Sequence, residues 1–386
     1  MKINIGVFFG SKSLEHEISI ISANQVINAL DPNKYNIYPI YISKELNFYI
    51  GQQLTQLKNF NNLQQLITKL KQINIIKYNN NCYIQQLNKS ILNKDIKLDL
   101  ALPIMHGTYG EDGCLSGYFD MLNLPYVGCD HISASLGQDK VIQKDILKAN
   151  NIPVVDSFWL YYYNYLDNSN YYDSIAEKLG YPLIIKPAKA GSSIGIEIVN
   201  NINEFKDKLQ ECSKYDHKLL IEKVIEDFVE INISIIGNNN NLLISSCEEV
   251  LKNDNILSFN DKYLNKSKST KNTSNKNIGI TNTTRIIPAN INKEILTKIQ
   301  DNAKKAFITL GLSGLCRIDF MYIKKTNTIY LTEVNTIPGS LAFYLWKDKG
   351  YNFTQLLDHL INITIDKTRD NNKLQRSFDT NILSNY

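Results

Sequence analysis

The chain has 386 residues, 43% of them hydrophobic and 21% charged, with a formal net charge of +4. At about 150 residues per domain this predicts two to three domains around substantial cores and excludes disorder as the dominant state. The charge is too small for a dedicated nucleic-acid binder, and the six cysteines form no CxxC redox or zinc pair, so reduced thiols in a cytoplasmic protein are expected.

After Lys2 the apolar run Ile3 to Phe9 turns polar at Gly10-Ser-Lys-Ser, too early for a signal peptide, and nothing downstream resembles a membrane span. An amphipathic helix over Glu17 to Leu30, a strand Tyr35 to Ile42, a helix near Asn61 to Ile73 and a strand Leu98 to Ile104 follow. That alternation predicts a parallel sheet with helices on its faces. A boundary falls near residue 136, then a helix over Asp139 to Asn150 and a Tyr-rich loop or insertion over Tyr161 to Tyr172. Val229 to Ile236 and Leu242 to Glu248 read as a hairpin, and Leu251 to Thr284 as a polar segment, disordered or a lid. A helix over Ile295 to Leu310, a second hairpin (Arg317 to Ile323, Thr328 to Asn335), a helix Phe353 to Ile363 and a frayed tail from Asp366 complete the chain.

Asn, Ile, Lys and Tyr are abundant, a background bias against which 18 glycines are few, so clustered glycines carry information. Neither GxxxxGK[ST] nor GxGxxG occurs. His106-Gly-Thr-Tyr-Gly-Glu-Asp-Gly113 follows an apolar strand, at the end where open α/β sheets bind ligands, although tight turns alone also need glycine. In Lys186-Pro-Ala-Lys-Ala-Gly-Ser-Ser-Ile-Gly195 the lysine, glycines and hydroxyls suit a phosphate, with a solvated loop as the alternative. Asp319, Glu333 and Asn335 place hard oxygen donors among apolar strand residues, a set that suits Mg²⁺; a structural ion pair of Arg317 with Asp319 or Glu333 is the alternative. Asp319 opposite Glu333 requires an odd hairpin loop, three or five residues around Thr326, because an even loop without a bulge sends them to opposite faces.

Together these segments resemble the ATP-grasp ligases, and within them the D-alanine:D-alanine ligases, from Ile3 to about His359. The landmarks run in the family's order: Ser13-Leu-Glu-His-Glu-Ile-Ser19, the His106 run, Asp139-Lys140, the Lys186 loop, Glu222-Lys223, Asp261-Lys262-Tyr263, Arg317-Ile-Asp319 and Glu333-Val-Asn-Thr-Ile-Pro-Gly339. The resemblance implies α/β and α+β architecture in three domains: a Rossmann-like one over 1–136, a small ATP-grasp one over 137–217 and a C-terminal ATP-grasp one over 218–386, with a lid over 251–284. It implies ATP as substrate, two Mg²⁺ or Mn²⁺ ions, D-alanyl-D-alanine as product for peptidoglycan synthesis, and a homodimer without nucleic-acid or membrane partners. Glu15 and Ser192 would hold the first D-alanine; Lys140 and Lys186 the phosphates; Glu222, Lys223 and Ile225 the adenine; Glu230 the ribose. Asp319, Glu333 and Asn335 would bind the metals, Arg317 and the Gly339 N–H the oxyanion, while Lys262 and Tyr263 close the lid. Two departures stand out: the Lys- and Asn-rich stretch after Tyr263, and Tyr344 where the family's common pattern has the serine that binds the second D-alanine's carboxylate. Tyr344, Leu345 and Lys262 are therefore the second-substrate candidates. His106 either braces a turn or meets substrate; Tyr109 and Tyr126 are expected in packing and Lys189 in solvent.

A D-alanyl-D-serine or D-alanyl-D-lactate ligase is the nearest alternative, and a non-catalytic nucleotide-binding homologue the more distant one. Retention of Arg317, Asp319, Glu333, Asn335 and both phosphate lysines argues against the latter.

Overall fold

The computed structural model describes residues 2–88, 94–238, 241–251, 284–378, 380 and 382–383. Strands β1 (Ile3–Gly10), β2 (Tyr35–Ile42), β3 (Phe48–Ile50), β4 (Lys71–Tyr78), β5 (Asn81–Gln86), β6 (Ile96–Leu98) and β7 (Leu100–Pro103) form one sheet in the order β6-β5-β4-β3-β2-β1-β7. The parallel pairing expected is confined to β1 with β2 and β7, and the other strand pairs of the sheet are antiparallel. Helix α1 (His16–Ala29) supplies one crossover, whereas the helix expected near Asn61 to Ile73 shrinks to α2 (Leu63–Ile67). A single turn cannot return the chain in parallel, and Asn79 and Asn80, with φ of 45° and 60°, make the tight hairpin turn from β4 to β5 instead. The expected strand Leu98 to Ile104 breaks at Asp99, whose carboxylate accepts the Asn4 N–H at 3.0 Å.

Three helices, α3 (Cys114–Leu122), α4 (His131–Gln138) and α5 (Lys140–Ala149), lead to a second, antiparallel sheet. It comprises β8 (Ser157–Tyr161), β9 (Leu183–Pro187), β10 (Glu197–Val199) and β11 (Lys218–Lys223), in the order β10-β9-β11-β8. The Tyr-rich stretch is not a loop: it runs through α6 (Tyr162–Asp167) into α7 (Ser169–Leu179). Tyr165 is its core residue, packing with Phe205 of α8 (Ile202–Ser213) over Leu183, Ile185, Leu219 and Ile221, while Tyr162 and Tyr172 are partly buried against that core and Tyr163 and Tyr171 are exposed.

The third sheet contains β12 (Val229–Asn238), β13 (Asn241–Ile244), β14 (Glu248–Leu251), β15 (Thr284–Ile286), β16 (Gly314–Ile323) and β17 (Thr328–Asn335). Its order is β15-β14-β12-β16-β17, with β13 added to β12. Ile231, Ile233, Ile318 and Phe320 turn one face toward Ile295, Ile299 and Phe307 of α9 (Lys293–Thr309). The last helix, α10 (Phe353–Asn371), begins with a capping box between Asn352 and Gln355 and continues past the end expected at Ile363. Lys367 anchors this extension by donating to Ser313 Oγ at 2.7 Å, so the tail does not fray from Asp366. Leu356 and Leu360, with Leu345 and Trp346 before them, pack against Ile5, Val7 and Phe9, tying the chain's last element to its first sheet. The proposed lid, including Lys262 and Tyr263, lies outside the described residues except for its ends, where Leu251 pairs with Thr284. Among the described residues no helix is long and apolar enough to cross a membrane.

Candidate active site

Lys186 pairs with Leu220 and Ile184 with Glu222, so these four side chains share the face that the second sheet turns to a cavity. Facing them, the third sheet contributes an unbroken cross-strand row: Glu248 opposite Asn232, Asn232 opposite Asp319, Asp319 opposite Glu333. Arg317 opposite Asn335 lies on the same face. Alternation does the sorting, since the neighbours Ile231, Ile233 and Ile318 point into the core.

The hairpin loop is not odd as expected. Ile323 pairs with Thr328 across four loop residues, and a bulge at Thr332 restores the pairing of Asp319 with Glu333. The Thr332 hydroxyl secures it, donating to the Asp319 carbonyl at 2.9 Å.

Arg317 grips Asp319 with two bonds, Nε to Oδ1 and Nη2 to Oδ2, each 2.7 Å, and Asn335 Nδ2 donates to Oδ2 at 3.1 Å. The ion pair weighed as an alternative is thus present, on the same wall as the oxygen donors. Burial, then the Glu333 and Glu230 charges, push the Asp319 carboxyl up to about 6 against the opposing pull of Arg317. Among the described residues no group of three or more acidic, histidine or cysteine side chains is gathered closely enough to hold a metal; the Asp319–Glu333 pair with the Asn335 amide supplies the hard oxygen donors that a magnesium-type cation would use, phosphate oxygens and water completing its shell.

Glu222 is held by two lysines, Lys186 and Lys144, the second of which also donates to the Val155 carbonyl at 2.9 Å. Burial alone would raise the Glu222 carboxyl, but the two cations outweigh it and hold it down to about 2. Nothing singled out Lys144 in the sequence, although its four-residue spacing from Lys140 on one helix face was readable. Lys140 itself donates to the Ala190 carbonyl at 2.7 Å, and Glu230 lines the same cavity as Glu222. Lys223 and Ile225 do not line it, Lys223 being exposed at the end of β11.

At one end the Ser192 hydroxyl donates to the Glu15 carboxylate, and Gly191 is pressed so close that a Cβ there would lie 2.3 Å from Glu15 Oε2. His106 turns out to be a brace. Its Nδ1 lies 2.8 Å from the Ile337 carbonyl, which makes Nδ1 the donor, and Nε2 accepts from Ser22 Oγ at 3.0 Å. Glu111 takes the other side of the same peptide unit's residue, accepting the Ile337 N–H at 3.0 Å and the Gly107 N–H at 2.9 Å. Ile337 is thereby fixed two residues before Gly339. Burial, then the Glu15 charge, push the Glu111 carboxyl up to about 8.

Tyr344 lines the same cavity and gives its hydroxyl to Glu248 Oε1 at 3.0 Å, whereas Leu345 is completely buried in the core. Asn232 Nδ2 reaches the same Glu248 oxygen at 3.0 Å.

Two antiparallel sheets closing on a cavity with lysines on one wall and a carboxylate row on the other define an ATP-grasp ligase. Residues 4–129 match the family model for the D-ala D-ala ligase N-terminus and residues 146–362 that for its C-terminus. The D-alanine--D-alanine ligase of Thermosipho melanesiensis is 39% identical over 99% of this chain and 98% of its own. Among solved structures, the D-alanine-D-alanine ligase from Coxiella burnetii superposes with a TM-score of 0.79 at 28% identity, covering 96% of each chain. VanG D-Ala:D-Ser ligase from Enterococcus faecalis superposes at 0.75 and 27%, covering 94% of this chain and 100% of that one. The chain belongs to the D-alanine:D-alanine ligase family.

Proposed function

We propose that the protein joins two D-alanine molecules into D-alanyl-D-alanine for peptidoglycan synthesis, with ATP converted to ADP and phosphate. The γ-phosphoryl group passes to the carboxylate of the first D-alanine, and the amine of the second attacks that acyl phosphate and expels phosphate. The observation that carries this reading is one cavity shared by Glu15 and Ser192, Lys140 and Lys186, and the Asp319–Glu333 pair.

In this reading Glu15 and Ser192 orient the ammonium of the first D-alanine. Lys140 and Lys186 counter phosphate charge, and Glu222, kept ionised by its lysines, accepts from the adenine amine, with Glu230 on the ribose. Asp319, Glu333 and Asn335 are the residues that would hold two Mg²⁺ or Mn²⁺ ions, which supply charge neutralisation to the phosphates. Arg317 and the Gly339 N–H stabilise the oxyanion as the tetrahedral centre forms, and Gly339 is presented by the His106–Ile337–Glu111 clamp. Lys262 and Tyr263 close the site against water, which an acyl phosphate cannot survive. A cytoplasmic homodimer of three-domain subunits (1–136, 137–217, 218–386) completes the proposal.

Phosphate release and dipeptide analysis with ATP, Mg²⁺ and D-alanine, D-serine, D-lactate or L-alanine test it. D-Alanine alone should yield both phosphate and dipeptide. Turnover only with a D-alanine and D-serine or D-lactate mixture would shift the reading to the corresponding ligase, and no turnover would sink it.

A further inference from the structure

If Tyr344 does not meet the second substrate's carboxylate, the cavity needs another cation there, and it has one that the sequence motifs did not mark. Arg285 stands on β15 opposite Val250, so its side chain shares the cavity face with Glu248 and Glu230. Its guanidinium carbon lies 4.3 Å from the centre of the Tyr344 ring, and its Nε lies 3.4 Å from Glu248 Oε2. Glu248 in turn is fixed by the Tyr344 hydroxyl and by Asn232. The guanidinium is therefore oriented by a ring and by a buried carboxylate.

We propose that Arg285 binds the carboxylate of the acceptor amino acid, with Tyr344 and Glu248 as positioning residues. This rests on the ligase reading above. Without Arg285, an acceptor carboxylate entering beside Glu248 would meet like charge and a tyrosine hydroxyl already given away. With it, the Glu248 charge is offset by a guanidinium, the cation whose planar shape matches a carboxylate. Arg317, nearer the reacting carbonyl in this reading, is engaged by both oxygens of Asp319 and serves the oxyanion instead.

The test compares two acceptors for the same acyl phosphate. Hydroxylamine carries no carboxylate and traps the intermediate as D-alanyl hydroxamate with release of phosphate, whereas D-alanine gives dipeptide. Arg285→Gln should lower the ratio of dipeptide to hydroxamate at least tenfold, the scale of a lost hydrogen bond to a charged group, and Arg285→Lys should lower it less. Tyr344→Phe should lower it by a smaller factor and raise the acceptor KM without changing the ATP KM. D-Alaninamide, lacking the carboxylate, should lose its disadvantage against D-alanine in Arg285→Gln. An unchanged ratio in both arginine variants would overturn the assignment. Wild-type enzyme that forms neither product would instead overturn the ligase reading.

Discussion

Asp319 faces Glu333 across the last hairpin because Thr332 is one residue too many for regular pairing. Without the bulge the four-residue loop would pair Asp319 with Thr332 and turn Glu333 onto the core face beside Ile318. The carboxylate pair thus depends on a local irregularity, held by the Thr332 hydroxyl.

Three variants follow from this pairing. Asp319→Asn and Glu333→Gln should each raise the Mg²⁺ concentration for half-maximal turnover by about tenfold or more. Thr332→Val should lower the urea midpoint by an amount equivalent to about 1 kcal/mol, one hydrogen bond. An unchanged Mg²⁺ requirement in both acidic variants would remove the metal assignment.

Gly191 is needed for space. Gly191→Ala should push Glu15 aside, raising the KM for the first D-alanine several-fold, while thermal stability barely moves because the crowded atom is the end of a flexible side chain. A steady-state fit that separates the two D-alanine sites reads this out, and an unaltered first-site KM would dissociate Glu15 from substrate.

The Glu222 carboxyl is depressed in the folded protein, so its contribution to stability is fully present above its ordinary pKa and lost as pH falls toward about 2. Urea melts of the wild type should therefore weaken between pH 5 and pH 3 more than those of Glu222→Gln. At neutral pH that variant strands Lys144 and Lys186 and should lose roughly 3 to 5 kcal/mol. Parallel curves for the two proteins would mean the lysines do not depend on Glu222.

Glu111 runs in the opposite sense. Its carboxyl is raised to about 8, so stability from its protonated form is present at low pH and declines as pH rises from about 5 to 8. Glu111→Gln should flatten that decline. His106→Ala should release Ile337 and lower kcat by up to about 10²-fold through a displaced Gly339, with ATP KM little changed. Full activity in His106→Ala would leave the clamp a folding device.

Much of this was legible in the residues themselves. Glycines after an apolar strand, a lysine before Gly-Ser-Ser and acidic residues among β-branched ones each record a local chemical need, and so could be read without coordinates. The sheet register was not legible in the same way: the odd-loop rule for Asp319 and Glu333 was sound, but a bulge is decided by tertiary pairing with β12 and β16. The helix expected near Asn61 failed for the same reason, since Asn79 and Asn80 let a hairpin take the chain back. Lys144, Glu111 and Arg285 escaped notice because a charged residue reveals its role only through what lies opposite it, Glu222, Ile337 and Tyr344 being 78, 226 and 59 positions away. Sequence determined which chemical groups the protein carries and in what order. Folding decided which of them share a wall, because that depends on strand pairing and burial between residues the chain keeps far apart.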